Sequence, residues 1–289
     1  MKHFFEIRVS DFVINMKKNI AKIYSHRLRN LRLMVKLLCF APFVRCVILN
    51  GSMAGDLLCH LKPAEMAGEG SQYLDGEILR RKAPQNDRKN WIIKPSSDID
   101  ILIIAKSGRI YTCRAAVLFW AGLSGLKRSS RSEKTHAGRF CFNYFLTENF
   151  LEIPHNRGEK VDKYCAENYS KSVLLWGDQK LFERFMSINL KWMRKYINVT
   201  KRPQNYFTER AQKKENSQFV FSRNLYIRSR KELQKIIEII LSKRFGNWLE
   251  YTLRNIQIKR IKKDPASKKY PKFIVFNDRE LRFHHPKTK

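Results

Sequence analysis

The chain has 289 residues, with 58 Lys and Arg against 26 Asp and Glu, a formal charge of +32. Its 43 % apolar residues, with 19 Phe among them, support a folded core of one large or two small domains and exclude a disordered basic arm. The charge points to a polyanionic partner such as nucleic acid or a nucleotide, or else to Lys-rich solvated faces.

Six cysteines, at 39, 46, 59, 113, 141 and 165, are scattered, several in apolar runs, with no Cys-x-x-Cys pair. They read as reduced, buried thiols, and zinc is not expected. Met1 to Phe5 runs quickly into Glu6, Arg8 and Asp11, which is no signal-peptide apolar region. Ala115 to Leu126 is apolar but too short to span a bilayer. The expectation is a cytoplasmic protein with no integral membrane segment.

From Phe12 to Cys39, Ile14, Ile20, Ile23, Leu28, Leu31, Met34 and Leu37 recur at helical spacing among many basic residues. Residues 1–42 are thus an amphipathic basic helix that packs on the core. Phe43 to Leu49 reads as a buried strand, and it runs through Asn50-Gly51-Ser52 into the helix-compatible Met53 to Leu58. A strand, a Gly-Ser turn and a helix read as an anion-binding corner or else as an ordinary strand-to-helix turn. Gly51 permits close backbone approach, Ser52 can cap or donate, and the first helical amides point at the anion.

Residues 59–95 carry Gly68, Gly70, Gly76 and Pro84 with little periodicity and read as an insertion, with a short helix around Asp75 to Arg81. Ser97-Asp98-Ile99-Asp100-Ile101-Leu102-Ile103-Ile104 comes next, as a strand. Successive side chains alternate between faces, so Asp98 and Asp100 stand side by side while Ile99 and Ile101 fill the other face. Two such carboxylates repel unless a cation lies between them, and Mg²⁺ with its hard oxygen ligands, or Mn²⁺ in its place, answers that need.

A Ser107-Gly108 turn precedes an apolar helix from Arg109 to Gly125, then a basic connector from Lys127 to Arg139. Phe140 to Leu146 is a strand apolar on both faces, which places it centrally in a sheet. Asn143 is the polar side chain within it, with Glu148 and Glu152 just beyond. Asn143 is either a metal-facing amide or a buried amide bonded to backbone.

Residues 155–289 read as a basic, mainly helical region. Tyr169 to Trp176 and Gln179 to Tyr196 are expected helices, and Pro271 to Phe276 a short strand. Leu233, Ile236, Ile237, Ile240 and Leu241 form a helical stripe flanked by Arg230, Lys231, Lys235, Lys243 and Arg244. Residues 201–289 hold 24 Lys and Arg against 8 acids, a balance that either tracks RNA or DNA phosphates or forms a solvated surface.

Asn50-Gly51-Ser52 together with Asp98-Ile99-Asp100 resembles the signature of the polymerase-beta-like nucleotidyltransferase superfamily, and most of the chain loosely resembles bacterial nucleotidyltransferase-domain proteins. The resemblance implies an α/β (α+β) fold over residues 43–154, a small mixed sheet flanked by helices. It further implies that Asp98 and Asp100 hold Mg²⁺ against a nucleoside triphosphate while Gly51, Ser52 and Ser97 contact the nucleotide. A third carboxylate, expected on the strand containing Asn143, is absent there. A protein that keeps the fold and only binds nucleic acid is the alternative.

Overall fold

The computed structural model describes residues 22–54, 97–128, 138–197, 225–271 and 273–283. A helix α1 over 22–38 leads into strand β1 (Val44–Asn50), whose end turns directly into helix α2, described over 51–54. Then come β2 (Ile99–Ala105), α3 (Ile110–Leu123), β3 (Phe140–Thr147), α4 (Glu159–Tyr169), β4 (Val173–Gly177) and α5 (Gln179–Met193). Helices α6 (Leu225–Ile240), α7 (Arg244–Lys263) and α8 (Pro265–Lys269) precede the short strands β5 (Val275–Phe276) and β6 (Glu280–Arg282). The expected insertion at 59–95 and the first half of the N-terminal helix lie outside the described residues.

The six described strands form one mixed sheet in the order β4-β1-β2-β3-β6-β5. Among them only β2 and β3 are parallel neighbours, and α3 connects them as a crossover must. Alternation divides the strands between two cores. Val47, Leu49, Ile99, Ile101 and Ile103 face α1 and α3, burying Leu31, Met34, Leu38, Tyr111 and Val117. Cys46, Ile48, Leu102 and Ile104 face α4 and α5, against Ala166, Phe185, Met186 and Trp192. The sheet is therefore covered on both faces, which is why its inner strands are apolar throughout.

One expectation changes. Val173–Gly177 is a strand where a helix was expected, because a five-residue apolar run pairs with the otherwise open edge of β1. Gly177, at φ 127°, lies so close to Arg45 that a Cβ would sit 2.0 Å from that residue's carbonyl oxygen. On α6 the stripe is divided: Leu233, Ile236 and Ile240 are exposed and Ile237 and Leu241 half-buried, while Gln234 is buried. Gln234 Nε2 donates to the carbonyls of Ala41 and Val44. Glu238 accepts from Phe43 N at 2.6 Å and pairs with both terminal nitrogens of Arg45 at 2.9 Å. The backbone ahead of β1 needs polar partners, and that need fixes the helix face.

Among the described residues no helix is long and apolar enough to cross a membrane. None of the described cysteines is in a disulfide; Cys39, Cys46, Cys113 and Cys141 are buried and Cys165 half-buried.

Candidate functional site at the Gly-Ser end of the sheet

The antiparallel register of β1 and β2 sets Asn50 opposite Asp100, so the end of one strand and the start of the other share an edge. Gly51 comes next at φ 73°, a backbone conformation that L side chains rarely adopt. A Cβ there would lie 3.2 Å from Asp100 Oδ2 and 4.0 Å from Asn168 Oδ1. Glycine thus lets the turn lie directly against the carboxylate. Asn50 is held in place because its Oδ1 accepts from Ser172 Oγ at 2.5 Å. Ser52 is exposed at the first turn of α2.

Asp98 and Asp100 are half-buried on the β2 face that carries Leu102 and Ile104, as their spacing requires. Ser97 is occupied otherwise: Arg27, buried in α1, donates to its hydroxyl at 3.2 Å and to its carbonyl at 3.0 Å. Its position is that of an anchor for the strand's entry.

The neighbour across β3 is Cys141 and not Asn143. Asp100 pairs with Cys141, whereas Leu102 pairs with Tyr144, so one extra residue bulges from β3 between them. The potential ligand atoms of Asp98, Asp100 and Cys141 all lie within 4.8 Å of one another. Asn143 falls in the bulge, half-buried, and its main-chain carbonyl accepts from Phe283 N at 2.9 Å. Glu148 lies beyond the far end of β2, where its N–H donates to Ala105 O, about 16 Å along the strand from Asp100 at the usual rise. Glu152 is 3.6 Å from His155.

A cation already stands at the pair. Arg128 donates to Asp98 Oδ2 at 2.6 Å and lies 3.7 Å from Cys141 Sγ. On the other side, α4 brings Tyr164 and Asn168 over the site, with Asn168 Nδ2 donating to Tyr164 O at 2.8 Å. Burial, then the field of Asp100, pushes the Tyr164 phenol up to about 12. Burial followed by Asp100 and Asp98 raises the Cys141 thiol well above its usual range, with Arg128 opposing. It stays protonated at neutral pH.

Comparison with protein-family models, with curated proteins and with solved structures found no match to this chain. The chemistry of the site therefore rests on its own atoms.

Two of the three clustered groups suit a hard divalent cation. Mg²⁺ is usually bound through one or two carboxylates completed by substrate phosphates and water, which Asp98 and Asp100 can begin. A neutral, soft thiol adds nothing to such a shell. Arg128 must release Asp98 Oδ2 for that oxygen to coordinate. Residue periodicity could not single out Arg128 from the other basic residues of its connector, nor place Cys141 before the bulge was known. Tyr164 and Asn168 carry no local sequence signal, since only the docking of α4 brings them to the pair.

Proposed function

We propose that the protein is a metal-dependent nucleotidyltransferase that moves a nucleoside monophosphate from a nucleoside triphosphate to an acceptor hydroxyl in the cytoplasm. The observation that carries this reading is the 3.2 Å approach of the Gly51 Cβ position to Asp100 Oδ2, which sets the Gly-Ser turn against the carboxylate pair. Gly51 and Ser52 receive the triphosphate at the start of α2, where helical amides favour an anion. Asp98 and Asp100 hold Mg²⁺ or Mn²⁺, which when bound neutralises charge on the phosphates. The acceptor oxygen bonds to the α-phosphorus as the bond to pyrophosphate breaks, and the hydroxyl proton leaves with water as its carrier. Arg128, once freed from Asp98, is a cation within reach of the same phosphates.

The Asp98–Arg128 ion pair, together with a thiol where an acid could complete the shell, favours a second reading in which the site is silent. One experiment separates them. Purified protein is incubated with labelled nucleoside triphosphates, Mg²⁺ or Mn²⁺, and pooled RNA, protein and small-molecule acceptors. A transfer product that disappears in Asp100→Ala supports the enzyme; no product with any nucleotide and metal supports the silent fold.

A further inference from the structure

Helix α7 is locked on one side and open on the other. Gly246 packs against Leu241, Gln257 Nε2 donates to Tyr111 O at 2.8 Å, and Ile261 is buried. Glu250, the helix's sole acid, accepts from Tyr111 N and Thr112 N at 2.9 and 2.8 Å, capping α3. At 3.6 residues per turn these inward positions leave the opposite face to Arg244, Phe245, Trp248, Tyr251, Lys259, Lys262 and Lys263. All seven are exposed, with Trp248 at 59 % and Tyr251 at 64 %. The Phe245 and Trp248 rings lie 5.7 Å apart at 30°.

We propose that this face is a binding platform for a single-stranded polynucleotide, its bases stacked on Phe245, Trp248 and Tyr251 and its phosphates against Lys259, Lys262 and Lys263. Exposed aromatic rings followed along the same face by lysines, with no acid of α7 on that face among the described residues, are what unpaired bases on a charged backbone require. A protein partner would select against Lys at the contact. The face spans about 27 Å at 1.5 Å per residue, room for several nucleotides.

A second basic group lies on the flank of α7 that faces α3, where Arg114 donates to Gln257 Oε1 at 2.8 Å. Arg260 acts on Arg114 and Lys127 without a carboxylate among the groups that shift them, and burial with this mutual repulsion lowers both from their usual values. The platform does not rest on the transferase reading.

The test is fluorescence anisotropy with end-labelled oligo(U) and oligo(dT) of about 20 nucleotides, a length that covers the face, and with a duplex of equal length. Both single strands should bind more tightly than the duplex. Phe245→Ala with Trp248→Ala should weaken binding by about 10-fold or more, the loss of stacking, and leave the salt slope unchanged. Lys259→Gln, Lys262→Gln and Lys263→Gln together should lower that slope by about 2. Unchanged circular dichroism and thermal midpoints certify that these surface variants fold. Equal affinity for duplex and single strand, or an aromatic variant that binds as well as wild type, overturns the proposal. So does an aromatic variant whose only change is lost self-association in sedimentation. Transfer to a non-nucleic acceptor without strand binding would sink the platform and leave the transferase reading intact.

Discussion

Replacing Arg128 by Met separates its structural role from its competition with a metal. The substitution keeps an aliphatic stem and removes the cation. The pair it breaks is short, 2.6 Å, with side chains 19 % and 24 % exposed, which lies between an exposed pair, worth about 0–1 kcal/mol, and a buried one, whose breaking costs about 3–5 kcal/mol. The expected loss without divalent ions is about 2 kcal/mol, or about 3 °C in thermal midpoint for a chain of this size. With Arg128 gone, the carboxylate pair loses the cation that stands at Asp98, so Mg²⁺ should bind the variant better than the wild type. If its Kd is on the order of 1 mM, about 10 mM Mg²⁺ returns about 1.4 kcal/mol. Thermal unfolding with and without MgCl₂, at matched ionic strength, reads both terms. Arg128→Met should be markedly less stable than wild type without Mg²⁺ and close to it with Mg²⁺, and adding Asp98→Asn should abolish the recovery. A deficit unchanged by Mg²⁺ would refute the metal site and leave Arg128 as the site's permanent counter-ion.

Two glycines should differ sharply when replaced by Ala. At Gly51 the left-handed backbone costs about 1–2 kcal/mol and the new Cβ crowds the Asp100 carboxylate, so the urea midpoint falls modestly while nucleotide affinity, read by calorimetry, is lost. At Gly177 the Cβ meets the Arg45 backbone at 2.0 Å, and soluble protein should not be recovered; comparable yields of the two variants would contradict the β1–β4 packing. Glu280, buried beside Arg282, has its carboxyl raised above 4.5 because burial outweighs the arginine. A raised folded value means its stabilisation is full below pH 4.5 and is lost as pH rises through the folded value. Urea unfolding across this window should show that decline in wild type and not in Glu280→Gln, and identical profiles would assign the pH dependence elsewhere.

Features that depend on neighbours along the chain were legible in the amino-acid order. Alternation in Asp98-Ile99-Asp100-Ile101 put both carboxylates on one face, and the strand ending in Asn50-Gly51 announced a tight turn. The run Phe140 to Leu146 was readable as a central strand because apolar residues on both faces need cover on both sides. Pairings between distant segments belong to the folded chain alone. One bulged residue in β3 moves Cys141 opposite Asp100 and sets Asn143 aside, a shift no local pattern reveals because register is fixed by the partner strand. Val173 to Gly177 became a strand because β1 had an open edge to fill. On α6, hydrophobic periodicity pointed to Leu233, Ile236 and Ile240, yet the fold turned Gln234 and Glu238 inward, since unpaired backbone groups at Ala41, Phe43 and Val44 cost more than exposed aliphatic side chains. Arg128 reaches Asp98 for the same reason: a half-buried carboxylate takes the nearest cation that the folded chain supplies.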